Sequence, residues 1–127
     1  VGFKDHWGRA RPREVVEFGG TEKFSPALVP HFDKARSNGS FVSGDGAFGF
    51  FFPTFAYVAP RRLSRRFFWG GMAVGGLFGF CRLATGAHFF SDIVYAAFFM
   101  LVVSAGVFAA MYGKAEAKAQ WKEWFKK

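Results

Sequence analysis

The sequence predicts an all-α fold, an integral membrane helical bundle with about three transmembrane helices and polar extracytoplasmic loops. Three uncharged apolar runs carry this prediction, residues 46–60, 67–81 and 93–113. The chain has 127 residues, of which 51% are hydrophobic and 20 are phenylalanine. Because the apolar residues stand in long uninterrupted runs flanked by basic segments, the pattern is typical of a membrane protein rather than of an ordinary soluble domain.

The lengths of the three runs indicate how each could cross a bilayer. A helix over residues 93–113 would be about 31 Å long, roughly one hydrocarbon thickness. The first two runs would each give about 22 Å of helix, so they would need flanking polar residues or snorkelling arginines to span. Pro53 predicts a kink in the first run, and the many glycines of the second favour close helix packing. The alternative for these two runs is a pair of buried core helices.

The segments outside the runs are polar. Residues 1–40 contain three prolines, one glycine pair and one Asn-Gly step that predict loops, and the lysine-rich tail at 114–127 is predicted to be helical. The chain starts with Val1 and has no signal peptide before Lys4, so we expect it to be the C-terminal part of a longer protein.

The charge balance indicates both a partner and an orientation. Lys and Arg number 17 against 9 Asp and Glu, a formal net charge of +8 that suits an anionic lipid or a phosphorylated substrate. Nucleic acid is disfavoured, because the basic residues flank apolar runs and no nucleic-acid motif appears. If all three runs cross the membrane, the arginines of 61–66 and the tail lysines share one face. The positive-inside rule places that face in the cytoplasm.

The opposite, extracytoplasmic face would then receive three polar clusters that are far apart in sequence. The most informative cluster contains Arg82, His88 and Asp92, between the second and third runs. If residues 88–92 are helical, His88 and Asp92 share a face, and the carboxylate can accept the Nδ1 proton and leave Nε2 as a nucleophile. Arg82 offers a planar fork for phosphate. The alternative is a membrane-edge histidine beside a capping aspartate.

The other two clusters are less specific when taken alone. Lys4 and Arg11, followed by a proline, could neutralise one phosphate, but a basic loop near lipid headgroups gives the same pattern. Ser43 and Gly44 open the first run with a hydroxyl and free backbone N–H groups that suit a phosphate oxygen. The alternative is a plain helix N-cap formed by Ser43 or Asp45.

Taken in order, the three clusters resemble the signature of the type 2 phosphatidic acid phosphatase superfamily. That signature is Lys-x6-Arg-Pro, then Pro-Ser-Gly-His, then Ser-Arg-x5-His-x3-Asp. The first motif is complete, the third is complete from Arg82 onward with Cys81 replacing its serine, and the second matches only at Ser43 and Gly44. The chain is most similar to the bacterial membrane branch, which includes lipid A and undecaprenyl-diphosphate phosphatases.

The resemblance implies a metal-independent, acid-type lipid phosphatase without a cofactor, which acts on a phosphomonoester or diphosphate of a membrane lipid. His88 would form a phosphohistidine, Asp92 would orient it, and Asp45 would stand at the general-acid position. The phosphate oxygens would be bound by Lys4, Arg11, Arg82, Ser43 and Gly44. Residues 1–113 would form the C-terminal part of the catalytic domain and 114–127 a cytoplasmic tail helix. The protein would be a multi-pass protein of the bacterial inner membrane, with its site on the periplasmic face.

Asp45 is the important departure, since the family has histidine at this position to protonate the leaving alkoxide. A carboxylic acid can do so only when it is protonated at the working pH, whereas nearby cations favour the ionised form. Three outcomes stay open: an acid that works at low pH, an acid that a good leaving group makes unnecessary, or a weakened site.

Two further interpretations compete with the enzyme: a phosphate-binding membrane protein without turnover, and a structural membrane protein whose basic loops bind anionic lipid. The soluble vanadium haloperoxidases of the same superfamily are disfavoured by the apolar runs. His6 and His31 have no metal-ligand partner at useful spacing, and the single cysteine, Cys81, excludes an internal disulfide, so no metal site is predicted. The sequence does not indicate an oligomeric state.

Overall fold

A computed structural model describes residues 6–32 and 39–125, and this part of the chain contains helices and loops but no β-strand. The all-α prediction is therefore confirmed. The elements in chain order are two 3-10 turns at Pro12–Glu14 and Val16–Phe18, helix α1 (Gly44–Gly49), a 3-10 helix (Phe52–Tyr57), and helices α2 (Arg61–Ala84), α3 (Phe90–Tyr112) and α4 (Lys114–Trp124).

Helices α2 and α3 are long and apolar enough to cross a membrane, as judged by length and composition. Their 24 and 23 residues correspond to about 36 and 34 Å. The second apolar run is extended at both ends by arginine, from Arg61 to Arg82, as its short length requires. Large apolar side chains stay exposed along α3, which suits a lipid-facing surface: Val94, Phe98, Val102, Val103, Val107 and Met111.

The first of the three predicted membrane-spanning runs, residues 46–60, does not form one long helix but two shorter helical pieces that pack along α2. Helix α1 ends at Gly49 after six residues, and the chain continues as the 3-10 helix Phe52–Tyr57 with Pro53 in its first turn. Proline removes a backbone donor and its ring clashes with the preceding turn, so Pro53 disfavours a straight, continuous α-helix through this run. In the described residues, two helices rather than three reach a length that can span.

Glycines on α2 let the first run pack closely against it. Gly71, Gly75 and Gly79 recur every four residues, are buried and therefore share one face of the helix. A β-carbon at Gly75 would collide with the ring of Phe50, and one at Gly71 would collide with backbone atoms of Phe52 and Pro53. This face accepts the first run because it has no side chains, as the glycine content predicted.

The tail helix packs at the other end of the bundle from the α2–α3 loop. Arg61, at the start of α2, forms an ion pair of 2.8 Å with Glu116 of α4. Trp124 is buried, stacks on Phe68 with 4.5 Å between ring centroids, and donates from Nε1 to the hydroxyl of Ser64. The 61–66 arginines and the tail therefore share one end of the bundle.

We expect Gly75→Ala to destabilise the bundle and Gly76→Ala to leave it unchanged or slightly more stable. The added methyl at Gly75 meets the ring of Phe50, whereas the same methyl at Gly76 points into open space. Overpacking costs about 1–3 kcal/mol, while alanine gains up to about 1 kcal/mol of helix propensity over glycine.

The two variants are compared by their apparent melting temperatures in detergent. Equal melting temperatures would contradict close packing between α2 and the first run.

Candidate active site

The N-terminal segment folds over the loop that joins α2 to α3. The backbone N–H of Arg13 donates to the carbonyl of Gly86 at 3.3 Å, and that of Ser40 donates to the carbonyl of Arg9 at 3.0 Å. The ring of Phe24 contacts that of Phe89 edge-on, with 5.3 Å between centroids. Segments near residues 9, 40 and 88 therefore meet at the end of the bundle opposite the tail.

His88 is buried in this region, with 3% of its surface exposed. Its Nδ1 lies 2.7 Å from the backbone carbonyl oxygen of Ser40. A carbonyl oxygen can only accept a hydrogen bond, so Nδ1 carries the proton in the neutral ring and Nε2 keeps its lone pair. The ring is therefore fixed in the tautomer that a nucleophilic Nε2 requires.

The expected direct hydrogen bond from His88 to Asp92 is replaced by this bond to Ser40. Helix α3 begins at Phe90, so His88 precedes the helix, and its Nδ1 lies 3.8 Å from Oδ2 of Asp92. The Asp92 carboxylate is fully buried, and its Oδ2 accepts from the Ser40 hydroxyl at 2.6 Å and from the Phe89 amide at 2.9 Å. Asp92 and His88 are therefore not hydrogen-bonded to each other. Both are bonded to Ser40, Asp92 to its hydroxyl and His88 to its carbonyl.

Arg9 completes this cluster and was not predicted from the sequence. It is 2% exposed and forms an ion pair with the Oδ1 atom of Asp92 through Nη1, which also donates to the Ser91 hydroxyl at 3.0 Å. Its Nε donates to the carbonyl of Ser25 at 2.9 Å, and its guanidinium lies 4.3 Å from the centroid of the Phe89 ring. The only signal in the sequence was a second arginine within the first cluster, two residues before Arg11.

Asp45 and Arg82 form a separate, half-exposed ion pair. Oδ2 of Asp45 accepts from Nε of Arg82 at 2.7 Å and from Nη2 at 2.5 Å. The pair lines a cavity of about 340 Å³ between α1 and α2, together with Cys81 and Thr85. His88 instead lines a cavity of about 450 Å³ beside Pro12, Arg13, Gly86, Phe89 and Phe90. The structure brings Arg82 to Asp45, and the two sequence-predicted groups His88 and Arg82 line different cavities.

The remaining predicted phosphate ligands have different surroundings. The buried hydroxyl of Ser43 accepts from the Gly46 amide at 3.1 Å, which makes Ser43 the N-cap of α1. Gly44 is exposed, and a β-carbon built on it would meet no atom within 4 Å. Arg11 is half-buried beside the cavity-lining Pro12. Lys4 lies outside the described residues.

Among the described residues, no three His, Cys, Asp or Glu side chains are grouped so that they could hold a metal ion. Cys81, which replaces the serine of the third motif, is an exposed free thiol on α2. The groups gathered around His88 are the Asp92 carboxylate, the Arg9 guanidinium and the hydroxyls of Ser40 and Ser91, while the Asp45–Arg82 pair lines a separate cavity.

The fold and the site define a helical bundle of membrane-protein type with a buried histidine, carboxylate and arginine at one end. The chain belongs to the PAP2 superfamily, whose sequence profile matches residues 1–116.

Relatives named lipid A 4'-phosphatase are similar over most of the chain. The protein of Francisella tularensis subsp. novicida (strain U112) is 39% identical over 115 residues, which cover 90% of this chain and 51% of the relative. That of Rhizobium leguminosarum is 38% identical over 110 residues, which cover 86% of this chain and 46% of the relative. The chain therefore spans about half the length of these relatives. No solved structure matches it.

Proposed function

We propose that the protein is a membrane lipid phosphatase in which Nε2 of His88 attacks phosphorus and forms a phosphohistidine. The observation that carries this proposal is the contact between Nδ1 of the buried His88 and the carbonyl of Ser40 at 2.7 Å. That contact leaves Nε2 unprotonated, and a lone pair on a fixed ring is what a nucleophile needs.

Phosphate would be bound by the side chains of Lys4, Arg11 and Arg82 and by the Ser43–Gly44 segment. These cations and N–H groups would stabilise the negative charge that grows on the five-coordinate phosphorus in the transition state. Two features support this assignment: Pro12, next to Arg11, lines the same cavity as His88, and the space around Gly44 is open enough for a ligand oxygen to approach.

The reaction would proceed in two steps. In the first, the bond from Nε2 to phosphorus forms, the bond from phosphorus to the lipid oxygen breaks, and that oxygen takes a proton from a general acid. In the second, a water molecule attacks phosphorus and gives up a proton to the conjugate base, while the bond to Nε2 breaks and inorganic phosphate leaves. Neither step requires a metal ion or a cofactor.

Asp45 would be the general acid, and this role requires its ion pair with Arg82 to open. Both side chains are about 40% exposed, and exposed ion pairs contribute at most about 1 kcal/mol. A phosphate dianion can therefore displace the Asp45 carboxylate from Arg82. Once released, Asp45 must be protonated to donate to the leaving oxygen, so activity should be highest at acid pH and fall as the pH rises.

The proposed substrate is the phosphomonoester of a lipid of the lipid A type. The names of the curated relatives support this choice, as do the apolar exposed surfaces of α2 and α3 next to the site. Residues 1–113 would supply the C-terminal part of the catalytic domain and 114–127 a cytoplasmic tail. The arginines of 61–66 and the tail share one end of the bundle, and with the positive-inside rule this supports a position for His88 at the outer face of the inner membrane.

A second candidate, a phosphate-binding protein without turnover, is favoured by the ion pair between Asp45 and Arg82. In this case the carboxylate would stay on the arginine, no proton donor would reach the leaving oxygen, and the site would bind anions without cleaving them. Loss of the general acid alone lowers rates by about 100- to 10,000-fold.

His88→Ala in the full-length protein should abolish release of inorganic phosphate from lipid A, by at least about 1,000-fold, because the nucleophile is removed. Wild-type protein incubated with lipid A carrying a 32P-labelled phosphate should yield an acid-labile labelled protein, which His88→Ala should not. His31→Ala is the matched control and should behave as wild type.

Equal rates for wild type and His88→Ala would refute the proposed nucleophile. A wild-type protein that binds vanadate without releasing phosphate would support the second candidate.

Asp45→His should retain or raise the rate near neutral pH and flatten the acid optimum, because imidazole can donate a proton at higher pH than a carboxylic acid. Asp45→Asn removes the donor and should reduce the rate by about 100-fold or more while freeing Arg82 for phosphate. The measurement is the pH profile of phosphate release for the three proteins. A large loss of rate in Asp45→His would show that the carboxylate has a role that histidine cannot fill.

A further inference from the structure

We infer that Arg9 and Ser40 are positioning residues for His88. Neither residue is one of the positions that the three motifs specify. Arg9 fixes the Asp92 carboxylate, Asp92 fixes the Ser40 hydroxyl, and the Ser40 carbonyl fixes Nδ1 of His88. This inference rests on the proposed function, because it assigns to both residues the task of holding the nucleophilic ring.

Arg9 is built as a fixed anchor and not as a mobile phosphate ligand. A buried guanidinium is costly unless its donors are paired. Three acceptors surround it, the carbonyl of Ser25, the hydroxyl of Ser91 and the carboxylate of Asp92, while the Phe89 ring covers one face. Any displacement toward a ligand would leave two buried charges unpaired, whereas the half-exposed Arg82 pays no such penalty when it moves.

Ser40 links Arg9, Asp92 and His88 through three different groups. Its backbone N–H donates to the carbonyl of Arg9 at 3.0 Å, its hydroxyl donates to Asp92 at 2.6 Å, and its carbonyl accepts from His88 at 2.7 Å. The residue is completely buried. Because its N–H and hydroxyl are both bound, Ser40 is held in place, and its carbonyl in turn holds Nδ1 of His88.

Two different groups hold the Nδ1 proton of His88 and stabilise the charge on its ring: the Ser40 carbonyl does the first and the Asp92 carboxylate the second. The proton on Nδ1 stays with an uncharged acceptor, so the ring keeps one tautomer throughout. The Asp92 carboxylate lies 3.8 Å from Nδ1, close enough to stabilise the positive charge that the ring acquires when Nε2 bonds to phosphorus. Arg9 and Ser40 determine where that carboxylate lies.

Ser40→Ala tests this inference most cleanly, because it keeps the carbonyl that binds His88 and removes only the hydroxyl that binds Asp92. A hydrogen bond to a charged group is worth about 10- to 100-fold when it is expressed as a change in rate. We expect a loss in this range in kcat for lipid A and in the single-turnover rate of 32P labelling, with KM changed less than about twofold, since no phosphate ligand is altered. Ser104→Ala is the matched control: it removes a hydroxyl that donates to the Met100 carbonyl within α3, and it should match wild type.

Arg9 is tested by two substitutions of graded severity. Arg9→Lys keeps the charge but loses the planar fork, so its kcat should lie between those of wild type and Arg9→Met. Because Arg9 and Asp92 act as one unit, Arg9→Met combined with Asp92→Asn should lose no more activity than the more damaging single variant. Where Arg9→Met does not fold, Arg9→Lys and Ser40→Ala carry the test.

The outcomes separate this inference from the proposed function. Wild-type kcat and labelling rates in both Ser40→Ala and Arg9→Lys, with His88→Ala inactive, would overturn the positioning roles and leave the nucleophile intact. Retained activity in His88→Ala would overturn the proposed function itself. A raised KM with unchanged kcat in Ser40→Ala would also contradict the inference, since it would indicate a role in substrate binding.

Discussion

The buried ion pair between Arg9 and Asp92 is the interaction on which the candidate site depends. It joins the N-terminal segment to the first turn of α3, two parts of the chain that are 83 residues apart. Both side chains are almost completely buried, so removal of either partner would leave an uncompensated charge, a loss of about 3–5 kcal/mol. The same carboxylate binds Ser40, and Ser40 binds His88, so the geometry of the imidazole follows from this pair.

The site contains two carboxylate–arginine pairs with opposite physical character. The pair of Arg9 and Asp92 is buried, and both partners make further hydrogen bonds, which suits a permanent support. The pair of Asp45 and Arg82 is half-exposed, borders a cavity and contributes little to stability, which suits the separation that we propose for these two groups when phosphate binds. Both pairs join a carboxylate to a guanidinium. The difference in their burial makes the Arg9–Asp92 pair a fixed support and leaves the Asp45–Arg82 pair easier to separate.

Much of this architecture could be predicted from the sequence, because apolar runs and glycine spacing are direct consequences of packing. The break in the first run was only half predicted: Pro53 indicated a kink, but whether the helix bends or ends depends on its contacts with α2. The role of Arg9 could not be predicted, since Arg9 and Arg11 have the same side chain and only burial tells them apart. The contact of His88 with the Ser40 carbonyl was equally hidden, because every residue has a carbonyl group and such an acceptor leaves no trace in the sequence.

The most direct test of the account is a structure of the full-length protein with vanadate, an analogue of the five-coordinate phosphorus. We predict vanadium bonded to Nε2 of His88, with Nδ1 still donating to the Ser40 carbonyl, Arg9 still paired with Asp92, and Arg82 moved from Asp45 to the vanadate oxygens. Vanadate bonded away from His88, or a His88 ring whose Nδ1 faces the vanadate, would contradict the account.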